Sequence, residues 1–324
     1  MSVDMMLARE EVENGWNLAI GEPAFLRKHV RFPKDVLSST DSYPSLTGHP
    51  PLVAELKLIY GENRHICITN GAKHALSAAF YQLAGEGWKK VYHSPPYWPS
   101  FPTLVSERGL TFTQYYSEDC ATIVTSPNNP CGSELVERLP IHIWDGVYAS
   151  PVYGCNYVQP SLRQIGGAAK FLGLSGARVG WLVTESEEIA RTARKFVEIT
   201  TSGVSTVSQA YVANALLLKR TYGMEKEFAA ARKELIENGQ ILLHYLGSYL
   251  HDIQGVPSSQ KGMFAYVRVP QKDLARWEAA FKKSKVSAIK GVDCGDPRPG
   301  FYRFSMGQTN DYTECAIKAL KREL

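Results

Sequence analysis

The sequence predicts an α/β protein: a large, mostly parallel sheet with helices on both faces, followed by a smaller α+β domain. From Pro51 to Thr184 short apolar runs alternate with helical patterns, which is the rhythm of βα units. Long helical stretches follow, and the tail then mixes strand-like and helical segments. At 324 residues the chain is longer than one typical domain, so two domains of unequal size are expected.

Each strand of the large domain is predicted from an apolar run that ends at a turn signal. The helices between them, at Lys73–Ala84 and Pro99–Arg108, carry apolar residues at three- and four-residue spacing. The predicted strands lie near Ile66–Thr69, Lys90–His93, Thr111–Tyr115, Ala121–Thr125, Ile141–Trp144 and Val179–Val183.

After residue 185 the pattern changes to three long amphipathic helices and then to a compact α+β tail. The helices cover Ser186–Thr200, Ser205–Tyr222 and Glu225–Tyr249. The tail carries strands at Phe264–Val269, Val286–Ile289 and Phe301–Ser305, a helix at Lys272–Lys285 and a last helix from Asp311.

These patterns divide the chain into three parts. Residues 1–30 are expected to form an N-terminal arm that contributes to the small domain or to a dimer contact. Residues 31–235 form the large domain, and residues 236–324 form the small one. The turn Gly21-Glu22-Pro23 lies in the arm, where it is expected to start a lid or a subunit contact.

Composition indicates an ordinary globular protein, with 44% hydrophobic and 21% charged residues. The formal charge of +4 comes from scattered residues, so nucleic acid is not indicated as a partner and a small anionic ligand explains the charge as well. No apolar run approaches the ~20 residues of a membrane span. The six cysteines lack CxxC or metal-finger spacing, so we expect no metal site, reduced thiols and a cytoplasmic location.

The most informative segment runs from Lys170 to Trp181, KFLGLSGARVGW. A lysine amine can form a Schiff base with an aldehyde, and Arg178, held by a glycine-rich turn, can grip a phosphate. The pair is typical of a site for pyridoxal 5'-phosphate (PLP). The alternative is an ordinary surface lysine in a glycine loop.

Further segments, each at the expected end of a strand, supply other parts of the same site. Asn70-Gly71-Ala72-Lys73 opens a helix whose unpaired backbone N–H groups favour a phosphate. Tyr97 can stack on a flat heterocycle. Asn129 offers an amide to a ring hydroxyl, and Asp145 offers a carboxylate to a pyridine nitrogen.

Each of these residues also has a plainer role open to it. Lys73 is also explained as a solvated lysine, Tyr97 as core packing and Asp145 as a helix N-cap. Asn129 also suits a structural turn.

Taken in order, the motifs resemble those of fold-type I, class I/II aminotransferases, and the resemblance covers nearly the whole chain. The stretch Ser202-Gly203-Val204-Ser205…Ser208-Gln209 is similar to the alliinase and tryptophan-aminotransferase branch. The motifs are Tyr43-Pro44…Gly48, Asn70-Gly71-Ala72, Pro96-Tyr97, Asn128-Asn129-Pro130-x-Gly132, Asp145-x-x-Tyr148, Lys170…Arg178-x-Gly180-Trp181 and Arg303.

The resemblance implies roles around the cofactor ring. Lys170 is then the Schiff-base lysine and the proton shuttle, and Asp145 pairs with the pyridine nitrogen. Asn129 and Tyr148 contact the phenolic oxygen of the ring, and Tyr97 stacks on its face. Lys170, Asp145 and Tyr148 form the implied catalytic set.

The resemblance also implies a phosphate site made by Gly71, Ala72, Lys73 and Arg178. Tyr43 from a neighbouring subunit completes it, which implies a homodimer with a shared active site. Family members usually have a serine or threonine directly before the lysine or three positions earlier, and this chain has Ala169 and Gly167 there. We expect Lys73 to supply charge in place of the missing hydroxyl.

The implied substrates are small amino and keto acids, with Arg303 binding the α-carboxylate as a bidentate fork and Gly21 and Asn129 assigned to the substrate. A firmly held carboxylate favours Cα–H cleavage over decarboxylation, so an aminotransferase is predicted. A β-eliminating (C–S type) lyase, an amino-acid decarboxylase and a non-catalytic protein of the same fold remain the alternatives. Neither the amino acid nor the amino acceptor is identified by the sequence.

Overall fold

The computed structural model describes residues 15–18, 25–26, 43–134, 139–153, 162–255 and 262–324. Its strands are β1 Trp16–Asn17, β2 His65–Thr69, β3 Lys90–Tyr92, β4 Thr111–Thr113, β5 Cys120–Thr125, β6 Ile143–Asp145, β7 Gln164–Gly167, β8 Gly180–Thr184, β9 Asp252–Gly255, β10 Phe264–Arg268, β11 Val286–Ser287, β12 Ile289–Lys290 and β13 Phe301–Ser305. Its α-helices are α1 Pro50–Tyr60, α2 Ala72–Gly85, α3 Phe101–Ser106, α4 Ala168–Phe171, α5 Glu187–Thr201, α6 Thr206–Tyr222, α7 Met224–Leu246, α8 Leu274–Ser284 and α9 Asn310–Glu323.

The large sheet contains seven strands in the order β2-β8-β7-β6-β5-β3-β4. Neighbouring strands are parallel except at β8, which pairs antiparallel with both β2 and β7. The prediction of an α/β fold with a large, mostly parallel sheet is therefore confirmed.

One edge of this sheet collects the turns that carry the predicted site. Parallel strands place their carboxyl ends on the same edge, so the turns after β2, β3, β5, β6 and β7 lie there together. Strand β8 runs in the opposite direction, so its first residue, Gly180, faces the same edge. Arg178, two residues earlier, is brought to that edge as well.

The residue types in the central strands explain why they are buried in the core of the large domain. Strand β5 has the sequence CATIVT and is buried at every position, which suits β-branched side chains enclosed on both faces. On one flank, Gln82 of α2 donates from Nε2 to the carbonyl of Ile189 in α5 at 2.6 Å. The Ser186 hydroxyl caps α5 by accepting the Ile189 N–H at 3.3 Å.

The second sheet is antiparallel and has the order β12-β13-β10-β9. The N-terminal strand β1 pairs with β11, so that Trp16 lies opposite Val286. The N–H of Ser305 donates to the carbonyl of Leu18 at 2.7 Å. The described residues 15–18 therefore join the C-terminal elements rather than the large sheet.

Strand β7 was not predicted from the sequence. It ends in Gly166-Gly167, and glycine weakens a strand pattern. The structure gives the reason for one of them, because a Cβ at Gly166 would overlap the indole of Trp181 on the paired strand β8.

Helix α1 and strand β9 were also not predicted. The proposed domain boundary between residues 235 and 236 lies inside α7, which continues unbroken to Leu246. None of the helices in the described ranges is long and apolar enough to cross a membrane.

Candidate active site

The phosphate-binding turn predicted after β2 is built around Gly71. This residue has a φ of 83°, in the region that favours glycine, and it is the N-cap of α2. A Cβ at Gly71 would lie 2.5 Å from Nη2 of Arg178, so the guanidinium rests against the glycine Cα. The structure thus brings together two residues that are 107 positions apart in the sequence.

Arg178 itself sits in a left-handed conformation with a φ of 52°. Its Nη1 donates to the carbonyl of Ser175 at 3.1 Å, which fixes the guanidinium at the start of α2. Gly180 makes room for this approach, because a Cβ there would overlap the backbone N of Ala72. Neither of these close approaches leaves space for a side chain, so the glycines are required by packing.

The first N–H groups of α2 have no acceptor inside the helix, and the positive end of the helix dipole lies there. Ala72 and Lys73 are the first two residues of this helix. The exposed Lys73 ammonium lies 5.3 Å from the ring centroid of Trp98. A guanidinium, an ammonium and unpaired N–H groups together form a site that suits a phosphate monoester.

Asp145 is the last residue of β6 and is only 4% exposed. Burial raises the pKa of its carboxyl from 3.8 to about 7, although hydrogen bonds from the Val147 N–H and with the Thr125 hydroxyl oppose the shift. A buried carboxyl that is ready to ionise suits a cationic partner such as a protonated pyridine nitrogen.

Behind Asp145, His93 extends this hydrogen-bonded chain. Its Nε2 lies 3.2 Å from Oγ1 of Thr125, and its Nδ1 lies 2.6 Å from the carbonyl of Ser94. Burial lowers the pKa of His93 to about 4, so the imidazole is neutral near pH 7. Because a carbonyl only accepts, Nδ1 carries the proton and Nε2 presents a lone pair, so His93 and the Asp145 carboxylate compete for the single proton of the Thr125 hydroxyl.

A second chain of hydrogen bonds joins the two sheets. Arg303, buried in β13, donates from Nη1 to Oδ1 of Asn129 at 2.7 Å. Asn129 in turn donates from Nδ2 to the hydroxyl of Tyr148 at 3.2 Å. The Arg303 guanidinium also lies 4.4 Å from the ring centroid of Phe264. Three predicted site residues from distant segments are therefore in direct contact.

Burial affects the acidity of both ends of this chain. It lowers the pKa of the Arg303 guanidinium, and it raises the pKa of the Tyr148 phenol above its usual range. Both shifts have the same cause, which is the cost of holding a charge away from water.

Tyr97, predicted to stack on the cofactor ring, is buried against the segment that contains Cys294 and Gly295. Its N–H donates to the carbonyl of Cys294 at 2.9 Å, and its hydroxyl accepts from Nε2 of Gln114 at 2.9 Å. A Cβ at Gly295 would overlap the Tyr97 ring. The next residue, Trp98, is only partly buried and faces the phosphate-binding turn.

Lys170 lies in the short helix α4, directly after β7 and thus at the same sheet edge as Asp145. The hydroxyl of Tyr153 donates to the Lys170 carbonyl at 3.0 Å. Tyr153 is fully buried, so this bond fixes the backbone that carries the lysine.

Tyr43 stands apart from this cluster in the described structure. Tyr43 has 86% of its surface exposed. Its neighbour Pro44 packs against Gly203, where a Cβ would lie 2.7 Å from the proline Cγ. Gly21, assigned to the substrate, lies outside the described residues.

Sequence reasoning missed several residues that shape the site. His93 and Thr125 were assigned only to strands, and Gly180 was only part of a motif. Gln209 accepts the His49 N–H at 2.8 Å, which joins the segment after Tyr43 to α6. Polar residues at the ends of predicted parallel strands are the signal that could have identified His93 and Thr125.

These residues fit PLP. The Gly71 cradle with Arg178 matches a phosphate, the buried Asp145 carboxyl matches a ring nitrogen, and Asn129 with Tyr148 matches a phenolic oxygen. Lys170 at the same edge carries an amine, the group that forms a Schiff base with an aldehyde.

Comparison with known proteins gives the same result. Residues 13–320 match the family model for aminotransferase class I and II. An aspartate aminotransferase from Thermotoga maritima is 26% identical over 337 residues, covering 89% of this chain and 86% of the relative. Tryptophan aminotransferase-related protein 2 of Arabidopsis thaliana is 31% identical over 172 residues, covering 48% of this chain and 39% of that protein.

Solved structures match over the full length of the chain. The Thermotoga maritima aspartate aminotransferase superposes with a TM-score of 0.74 at 21% identity and covers 99% of this chain and 96% of its own. An aromatic aminotransferase from Pyrococcus horikoshii gives a TM-score of 0.74 at 17% identity, with 98% of both chains covered. The chain therefore belongs to the class I and II aminotransferase family, the PLP-dependent enzymes of fold type I that transfer an amino group between amino and keto acids.

Proposed function

We propose that this aminotransferase uses Lys170 as its Schiff-base lysine, Asp145 as the partner of the ring nitrogen and Arg303 as the anchor of the substrate α-carboxylate. The observation that carries the proposal is the edge of the large sheet, which collects Lys170 and Asp145 with the Gly71–Arg178 phosphate cradle. Arg303, from the second sheet, reaches this edge through its hydrogen bond to Asn129. The substrate class is a small α-amino acid with a free carboxylate.

When bound, PLP supplies an electron sink that weakens the bonds at the substrate Cα. Asp145 holds the proton of the ring nitrogen in place, because a buried carboxylate without a cation is costly. The Lys170 amine would act as the base that moves the proton at the substrate Cα. Tyr148 and Asn129 orient the ring through its phenolic oxygen.

Arg303 provides the specificity for a carboxylate. Its planar guanidinium can present two parallel N–H donors, and burial strengthens each bond to an anion. Because Arg303 also donates to Asn129, substrate binding and ring orientation are coupled through one side chain.

We assign the residue that stacks on the cofactor ring differently from the sequence-based expectation. Tyr97 is buried beside Gly295, whereas Trp98 is partly exposed and 5.3 Å from Lys73. We therefore propose that Trp98 covers the ring and that Tyr97 supports it from behind.

A homodimer with shared sites is part of the proposal. The 86% exposed Tyr43 ring is free to reach a neighbouring subunit, where it would complete the phosphate site. A surface pocket of about 370 Å³ lies beside the lysine segment and is lined in part by Leu174, Val207 and Tyr211. Its apolar lining suits a contact with a second subunit. The five described cysteines are all free thiols, which supports a cytoplasmic location.

The proposal is tested by absorbance spectra of the purified protein with PLP, for wild type and for Lys170→Ala. We expect a visible band that depends on Lys170 and that amino acids convert to the pyridoxamine form, with release of the keto acid. Lys73→Ala serves as a control because it removes an amine near the phosphate but not the Schiff-base amine. Release of pyruvate and ammonia in place of transamination would contradict the proposed reaction, and the absence of any lysine-dependent band would contradict the site.

A further inference from the structure

We propose that His74 is a positioning residue of the phosphate-binding turn, and that its neutral imidazole holds residues 70 and 71 in the conformation that grips the cofactor phosphate. The inference rests on the proposed function, because the phosphate is that of PLP. It concerns a residue that belongs to none of the family motifs in the sequence.

His74 lies in the first turn of α2, and its imidazole forms a hydrogen bond with the turn that precedes this helix. The N–H of Asn70 donates to Nδ1 of His74 at 3.1 Å. Gly71, the N-cap of α2, has no side chain and makes no side-chain cap. His74, the third residue of α2, instead reaches back to the N–H of the residue before the N-cap, much as the N3 side chain of a capping box reaches back to the N-cap N–H.

The hydrogen bonds on both sides of the ring fix its protonation. A backbone N–H can only donate, so Nδ1 must carry a lone pair and Nε2 the proton. Nε2 lies 2.8 Å from Oγ1 of Thr200, and the Thr200 hydroxyl donates to the carbonyl of Phe196 at 2.6 Å. Every donor in this chain has an acceptor only if the imidazole is neutral.

The surroundings keep it neutral. Burial and, to a smaller extent, the positive charge of Arg108 lower the pKa of His74 below its usual 6.5. Arg108 lies 5.0 Å from the ring centroid of Phe196, which is itself 5.3 Å from the His74 ring. A proton on Nδ1 would face the Asn70 N–H, and the positive charge of Arg108 disfavours it further.

The chain from Asn70 to Phe196 ties the turn to helix α5, which is held to α2 by the bond between Gln82 and Ile189. Without His74, the Asn70 N–H loses its acceptor. Gly71, at a φ of 83° that glycine adopts readily, then keeps its bonds to Thr69, whose hydroxyl donates to the Gly71 carbonyl at 3.1 Å. The turn that receives Arg178 loses its tie to α5.

Two substitutions test the hydrogen bonds of the two His74 ring nitrogens separately. In His74→Asn the side-chain oxygen can take the place of Nδ1 and still accept the Asn70 N–H. In His74→Gln the longer amide can reach Thr200 but no longer serves Asn70. The dissociation constants of PLP and of phosphate-free pyridoxal are measured for each variant by the lysine-dependent absorbance band.

We expect His74→Gln to raise the PLP dissociation constant about tenfold, the effect of losing one neutral hydrogen bond that holds the phosphate-binding turn. Pyridoxal, which lacks the phosphate, should bind both variants like wild type. His74→Asn should keep most of the PLP affinity. The ratio of the two affinities is the readout that a general loss of stability does not change.

The results separate the inference from the proposed function. If wild type shows no lysine-dependent band with PLP, the proposed function itself fails. If wild type binds PLP but His74→Gln binds PLP and pyridoxal with equal loss, or with none, then His74 does not position the phosphate turn. Thermal melting of each variant shows whether the fold is intact, and His74→Asn keeps the test valid should His74→Gln fail to fold.

Discussion

Ionising the buried Asp145 carboxyl costs folding free energy, because the charge is held away from water. The folded protein binds the Asp145 proton more tightly than the unfolded chain does, because burial raises its pKa from 3.8 to about 7. Linkage then requires that folding stability falls as the pH rises through this window, by at most about 1.4 kcal/mol per pH unit from this group. A cation on the ring nitrogen would remove the penalty.

Asp145→Asn should therefore flatten the pH dependence of stability. Without PLP, urea unfolding at about pH 5 and about pH 7 should show a smaller loss of stability in the variant than in wild type. Glu225→Gln, an exposed acid in the first turn of α7, is the matched control. Equal pH slopes in wild type and Asp145→Asn would mean that the buried carboxyl does not titrate in this window.

The role of Arg303 in binding the substrate carboxylate can be tested by a single substitution. Arg303→Lys keeps the charge but loses the planar fork, so KM for the amino acid should rise roughly 10- to 100-fold. The PLP band should remain, because Arg303 holds the substrate and not the phosphate. Arg276→Lys, on the exposed face of α8 near Tyr249, controls for the substitution itself. An unchanged KM would place the carboxylate elsewhere.

At the scale of elements, the turn between β2 and α2 depends on Gly71. An added methyl group would meet the Arg178 guanidinium, and the φ of 83° is strained for alanine. We expect Gly71→Ala to cost roughly 1–3 kcal/mol of folding stability and to weaken PLP binding more than pyridoxal binding. The comparison uses urea unfolding together with cofactor titration.

Gly176→Ala provides the control in the same region. It lies in the lysine segment, and nothing is within 4 Å of an added Cβ. It should leave stability and PLP affinity unchanged. If the two glycine variants behave alike, the close approach of Arg178 to Gly71 does not contribute to the site.

The element scale also shows what the sequence could and could not predict. Strand β13 was predicted at its observed bounds, because three of the five residues in Phe301–Ser305 are aromatic and aromatic residues favour strands. Strand β7 was missed, because its glycines are explained only by Trp181 on the neighbouring strand. Tyr97 and Trp98 are adjacent aromatics, and only packing against Gly295 shows which of them faces inward.

The site shows the same limit. Asp145 follows a predicted strand, so its place at the carboxyl edge of the sheet could be predicted. Lys170 and Arg178 were identified from local motifs, but their place at that edge depends on the missed strand β7 and on the antiparallel direction of β8. The contact between Thr125 and His93 joins positions 32 apart and has no local signature. The same holds for His74 and Thr200, which are 126 apart.

For the whole molecule, the exposed Tyr43 predicts that each site needs two subunits. Tyr43→Ala and Lys170→Ala should each lose activity. Mixed in equal amounts and allowed to exchange subunits, they should recover about a quarter of wild-type activity, because half of the dimers then contain one intact site. Sedimentation of wild type should show a dimer. A fully active monomer, or no recovery in a mixture that demonstrably exchanges, would contradict a shared site.

Borohydride trapping determines whether Lys170 holds the cofactor at the sheet edge shared with Asp145 and Arg178. The protein is loaded with PLP, treated with borohydride to reduce the imine to a stable secondary amine, digested and sequenced by mass spectrometry. We expect a single pyridoxyl group, on Lys170. A pyridoxyl group on another lysine, or an active PLP-loaded enzyme with none on Lys170, would contradict it.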